Sequence, residues 1–165
     1  MSVFAKKKVL ALCVLIDGGA QAGEVLPGCY ERAYTAEHLA SQPAQVVREI
    51  RLWVGDWTTE VARAGKLEVI AANQGRARAS DQHGRVLTQT LYCGNEAGEA
   101  TCLAECDGGS LEVRKQDSAG MTFRTRYLMV GEVGGCGGSL DLAEVPGQWV
   151  SYKLFRVPDA RCDGM

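Results

Sequence analysis

Seven cysteines constrain this chain more than any other feature. Cys93, Cys102, Cys106 and Cys136 fall in one stretch of short alternating runs and turns; Cys13, Cys29 and Cys162 lie outside it. An odd number cannot all pair within one molecule, and the N-terminus resolves the parity. Lys6, Lys7 and Lys8 form a basic start, Val9 to Ile16 is an unbroken apolar run, and Ala20-Gln21-Ala22 fits a signal-peptidase site. The apolar run is far shorter than the roughly 18 residues of a membrane span. Residues 1–22 therefore read as a cleaved signal, and residues 23–165 as the mature domain. Cleavage removes Cys13 and leaves six cysteines, an even set that belongs in an oxidising compartment, periplasmic or extracellular. A lipid on Cys29 is the alternative. Leu26-Pro27-Gly28-Cys29 faintly resembles a lipoprotein box, but Asp17 and Glu24 separate it from the apolar run.

Geometry narrows the pairing. In an extended strand Cys102 and Cys106 would lie about 13 Å apart, against a limit of about 7 Å for a bridge. Cys93 and Cys102 flank a loop containing Gly94, Asn95 and Gly98, which a bridge would clamp. Cys106 then pairs with Cys136, whose neighbours Gly134, Gly135, Gly137 and Gly138 allow close backbone approach. Cys29 and Cys162 remain, and their bridge ties the two ends together.

The mature chain, about 143 residues, suits one domain with its own core. Runs of five to ten alternating residues, separated by Gly, Asp, Asn and Ser, mark it as all-β. The expected fold is an antiparallel barrel or a two-sheet sandwich of about eight strands, with one short N-terminal helix capped by Thr35. Residues 23–34 read as irregular, with Cys29 in a turn. Val46–Val54 and Lys66–Ala72 read as strands, and Arg76–Ser80 with Arg85–Cys93 as a hairpin. Thr101–Cys106 reads as a strand with Cys102, Ala104 and Cys106 on its inner face. Met121–Val130 reads as a strand with Met121, Phe123, Tyr127 and Met129 on one face. Gln148–Val157 is the last strand, with apolar or aromatic side chains on both faces.

Chemistry is sparsely marked. The four-residue spacing of Cys102 and Cys106 lacks the Cys-x-x-Cys pairs of a zinc ribbon, so no metal site is read. His38 and His83 lie in no recognisable catalytic pattern, and nothing marks a pair of acids at one site. Tyr127 and Tyr152 remain as conceivable participants. No catalytic residue and no cofactor are assigned, and whether the chain is an enzyme stays open, with a non-catalytic role favoured. Arg76 and Arg78 on one strand face and Arg124 and Arg126 on another, joined by Arg85, Arg114 and Lys115, form a candidate patch for an anionic ligand. The competing reading is a solvated outer face that guards strand edges.

Gly55-Asp56-Trp57 is a G-x-W, which in position resembles the mark at the start of the first barrel strand in lipocalins and related calycins. That resemblance implies a Trp at the barrel base with a basic residue of the last strand over it, here Trp57 and Arg156. It covers three residues, and a strand already precedes it, which departs from the pattern; no family is assigned on it.

Loss of the signal removes three Lys and one Asp, leaving 15 basic against 19 acidic side chains and a formal charge of about −4. That balance argues against nucleic acid as a partner. The functional expectation is an exported, non-catalytic binding or envelope-associated β protein without a transmembrane span. Its partner would be a protein, an anionic glycan or a small ligand. The alternatives are a carrier of a small apolar ligand, of calycin-like type, and a small secreted hydrolase.

Overall fold

A computed structural model describes residues 23–131 and 136–165. The expected signal over residues 1–22, and Gly134 and Gly135, lie outside the described residues. Eight strands close into an antiparallel barrel: β1 (Gly28–Ala33), β2 (Val47–Trp57), β3 (Ala62–Ala71), β4 (Val86–Glu96), β5 (Glu99–Ala104), β6 (Gly109–Asp117), β7 (Gly120–Val130) and β9 (Val150–Val157). Each pairs with the next in chain order, β7 pairs with β9, and β9 returns to β1. This ring decides for the barrel over the sandwich. A two-residue strand, β8 (Leu140–Asp141), pairs with the far end of β7. Two short helices, α1 (Ala36–Ser41) and α2 (Gly75–Ala79), and a 3-10 turn over Asp159–Cys162 complete the structure.

Alternation builds the interior. Along β3, Arg63, Gly65, Leu67, Val69 and Ala71 face inward and their neighbours outward. Tyr30, Leu52, Leu91, Phe123, Tyr152 and Leu154 meet them from the other strands and are fully buried. These side chains fill the barrel, with Phe123 and Tyr152 rings 5.5 Å apart. All three bridges are as expected: Cys29–Cys162, Cys93–Cys102 and Cys106–Cys136. Cys93 and Cys102 face each other directly across β4 and β5.

Four local expectations are corrected. Residues 28–33 form β1 rather than irregular chain, because Tyr30 enters the core and Cys29 is tied outward to Cys162. That bridge also occupies the Cys29 sulfur that a lipid would need. Residues 75–79 form α2 rather than a hairpin arm, since Ala and Arg favour helix and Ala77 buries the one apolar side. β5 ends at Ala104, and Cys106 turns out of it with a left-handed backbone (φ 53°), which frees its sulfur to reach Cys136. In β7 the register shifts between Arg124 and Tyr127 opposite Glu112 and Ser110, placing one extra residue in β7. Thr125 secures this bulge, donating from its hydroxyl to the Ser110 carbonyl (2.7 Å) and accepting from the Tyr127 amide (3.1 Å). The parity therefore flips: Tyr127 is exposed and Leu128 enters the core.

The two barrel ends differ. Residues 23–27 cross one end, where Val25 is buried and Glu24 accepts from Arg63 at 2.6 Å. The other end carries α1, α2 and the loop leading to β9. Arg76 donates to the Ala143 carbonyl (3.0 Å) and lies 3.6 Å from Asp141, which accepts from the amides of Leu128 and Ala143. Tyr152 donates to the Leu142 carbonyl (2.8 Å), so this loop is strapped to the barrel.

Candidate binding site at the seam between β1 and β9

The β1–β9 pairing has only three residue pairs, as few as β5–β6 and fewer than any other in the ring. It holds Cys29 to Val157, Tyr30 to Arg156 and Glu31 to Phe155, and there the ladder ends. β1 nevertheless continues along β2 through Ala33, and the Tyr34 amide still donates to the Arg48 carbonyl (2.9 Å). β9 continues along β7 through Val150. Past Glu31 the two strands are each held from one side and left open on the other. Antiparallel alternation turns the backbone groups of Ala33 on one lip, and of Ser151 and Lys153 on the other, toward the gap. All three residues are exposed.

Side chains furnish the opening. Arg32 shares the inward parity of Tyr30, yet its guanidinium lies 5.2 Å from the ring of the outward Phe155 and 5.0 Å from that of Tyr34. It thus emerges through the seam. Lys153 lies 5.3 Å from the same Phe155 ring. Two cations and two aromatic rings thereby form one continuous run. Among the described residues neither Arg32 nor Lys153 makes an ion pair, whereas Arg51 pairs with Glu31 and Glu68, and Arg161 with Glu31. Glu31, the acid nearest Arg32 in sequence, is thus already engaged by two other arginines.

The seam widens toward α1 into an open cleft of about 310 Å³, reached by Tyr34, His38, Gln45, Glu144, Ser151 and Tyr152. Thr35 caps α1 by accepting from the His38 amide (3.1 Å). This cap fixes the His38 ring on Tyr34, centroids 4.8 Å apart. Gln45 donates from Nε2 to the Val47 carbonyl (2.8 Å), which leaves its Oε1 to accept from His38 Nε2 at 2.9 Å. Burial pushes Tyr34 and Glu144 up from their ordinary ranges; Arg32 opposes this at Tyr34 and His38 opposes it at Glu144. Burial also pushes Tyr152 well up, reinforced by the neighbouring acid Glu144.

The raised Glu144 carboxyl has a measurable sign. The folded chain holds this proton more tightly than the unfolded chain does. Its contribution to stability is full below the ordinary value of 4.5 and is lost as pH rises through the raised one. Glu144→Gln is therefore expected to flatten the fall in urea midpoint above pH 4.5. An unchanged slope would show that burial at Glu144 has no such effect.

A comparison of the chain with family models, curated proteins and solved structures found no match.

Of the sites expected from sequence, the arginine patch is rearranged. Arg76 and Arg78 lie on α2 and do not share a strand face, and Arg76 is spent on the loop at Asp141 and Ala143. Arg124 and Arg126 lie on β7 against Trp149, at 4.1 and 5.4 Å from its ring, and Arg124 also pairs with Glu112. Trp57 and Arg156 do not form the barrel-base pair. Arg63 covers Trp57 at 4.3 Å, while Arg156 lies over Tyr30 at 5.2 Å and donates to the Pro27 carbonyl (2.6 Å). The physical reason is that Gly28 and the crossing segment bring the Pro27 carbonyl within reach of Arg156. A Cβ at Gly28 would come within 2.0 Å of that guanidinium. Sequence reasoning passed over Arg32, Tyr34, Lys153 and Glu144; the available signal was the outward aromatic Phe155 in the last strand. Among the described residues no group of three or more His, Cys, Asp or Glu side chains is placed to hold a metal ion. No helix there is long and apolar enough to cross a membrane.

Proposed function

We propose that this chain is an exported, disulfide-stapled binding protein of the periplasm or exterior, and that the seam between β1 and β9 is its binding surface. The observation that carries this reading is the unclosed stretch of ladder at Ala33, Ser151 and Lys153, furnished with cations and rings. Unpaired backbone edges in a sheet are sites where another chain can add. Three disulfides accord with an oxidising compartment. The carrier alternative needs an enclosed apolar cavity, and the filled interior gives it no support.

The test compares capture from the native extracellular or periplasmic extract by oxidised residues 23–165 and by two variants. Ser151→Trp crowds the seam, and Lys66→Trp crowds the outer face of β3. Loss of the captured partner in the first variant only is the expected result. Equal capture by both, with unchanged thermal midpoints, would remove the seam from consideration.

One observation favours a second reading, the small hydrolase: Ser151, His38 and Glu144 line one cleft. Among the described residues no hydrogen bond joins His38 to Ser151 or Glu144, and its Nε2 is engaged by Gln45. Labelling of Ser151 by a fluorophosphonate, detected by peptide mass, would support that reading, and absence of labelling would remove it.

A further inference from the structure

The geometry points to an acidic peptide, bound in extended form along the seam, as the ligand of this site; the inference rests on the seam being the binding surface. Two independent features select this class. The first is the backbone. The Ala33 amide and carbonyl on one lip, and those of Ser151 and Lys153 on the other, point into the gap beyond the last pair, Glu31 with Phe155. Such groups are matched by the N–H and C=O of another extended chain, which a glycan or an inorganic anion does not carry in that repeat. The unpaired lip from Ser151 to Leu154 spans about 10 Å at strand rise, room for about three peptide units.

The second feature is charge. Arg32 and Lys153 stand on opposite lips and converge on one ring, Phe155. Neither has an ion-pair partner among the described residues, in a protein whose mature charge is acidic. Glu31, at the closed end of the seam, is held by Arg51 and Arg161 and so does not neutralise them. A carboxylate on an entering strand would meet both cations, while the Phe155 and Tyr34 rings give its apolar neighbours a surface. Glu144 is the opposing charge in the cleft. Its burial favours the neutral form, which weakens its repulsion of an acidic ligand as the pH falls. The other charged or titratable groups facing Glu144 are His38 on α1, Tyr34 beyond β1 and Tyr152 on β9.

The experiment is an NMR titration of oxidised, ¹⁵N-labelled residues 23–165 with a capped hexapeptide of alternating valine and aspartate. The control peptide replaces aspartate with asparagine, and a sulfated oligosaccharide serves as a second anionic probe. The expected result is a shift and slowed exchange of the Ala33, Ser151 and Lys153 amides with the aspartate peptide. Arg32→Gln and Lys153→Gln should each weaken binding roughly two- to fivefold, the scale of an exposed charge pair. The asparagine peptide should bind more weakly, and added salt should reduce the difference. Equal binding of both peptides at the seam overturns the acidic class while leaving the seam as a binding surface. Binding of the oligosaccharide without slowed amide exchange, in place of the peptide, overturns the strand-like mode. No perturbation at the three amides by either peptide overturns the inference; the seam itself stands or falls on the capture by the Ser151→Trp variant.

Discussion

Replacing Cys29 and Cys162 together by alanine is expected to lower the unfolding free energy by roughly 4–5 kcal/mol. Removing Cys93 and Cys102 should cost less, roughly 2–3 kcal/mol, by the same chain-entropy reasoning. The difference follows from loop length: the terminal bridge spans 133 residues and the hairpin bridge 9. Cys29 is fully buried under the 3-10 turn, and the Cys29 amide donates to Asp159 at 3.3 Å, so the bridge sits in a built contact rather than a loose tail. Arg161 adds a forked contact to Glu31 through Nε and Nη2. This bridge also pins the one strand that borders the seam on its β1 side. Urea unfolding of the two double variants, followed by tryptophan fluorescence, checks the order. A larger loss for the hairpin bridge than for the terminal one would contradict it.

Phe123→Ala carries the second large effect, an expected loss of about 3–5 kcal/mol. Phe123 is fully buried in the middle of β7, opposite Val113 on β6 and Tyr152 on β9. Tyr152 is held by its hydroxyl on the Leu142 carbonyl. A closed barrel gives the walls little freedom to collapse onto the void, which places the cost toward the upper part of the range. Phe155→Ala, on the neighbouring strand β9 but outward and exposed, should cost under about 1 kcal/mol. Similar losses for the two would show that the barrel interior is not the packed core described.

The disulfide framework was legible because it needs only extended-chain distances and turn positions, and Cys93, Cys102 and their loop supplied both. The all-β class was legible from alternation, clearest along β3, where every second residue is buried, but barrel and sandwich share that pattern and only the ring of pairings separates them. The misses have local causes. β1 carries Glu31 and Arg32 in succession, so its charges hide a strand whose second partner, β9, lies far along the chain. The β7 bulge is invisible in a strict period of two, because one inserted residue sends Tyr127 out and Leu128 in. Arg76 and Arg78 alternate as a strand would, but a short helix between strands satisfies the same pattern once Ala77 is buried. Of the seam, only the aromatic Phe155 in the last strand was legible. The opening depends on where a ladder stops, and no residue type marks that point; Arg32 becomes notable only when β9 places Phe155 beside it.

The proposed binding surface is tested most directly by site-specific photocross-linking in the native compartment. A benzophenone side chain replaces Ser151 in one form and Lys66, on the outer face of β3, in another. A partner cross-linked through position 151 and not through position 66 is the expected result. Cross-linking through 66 alone would contradict the assignment of the seam as the binding surface.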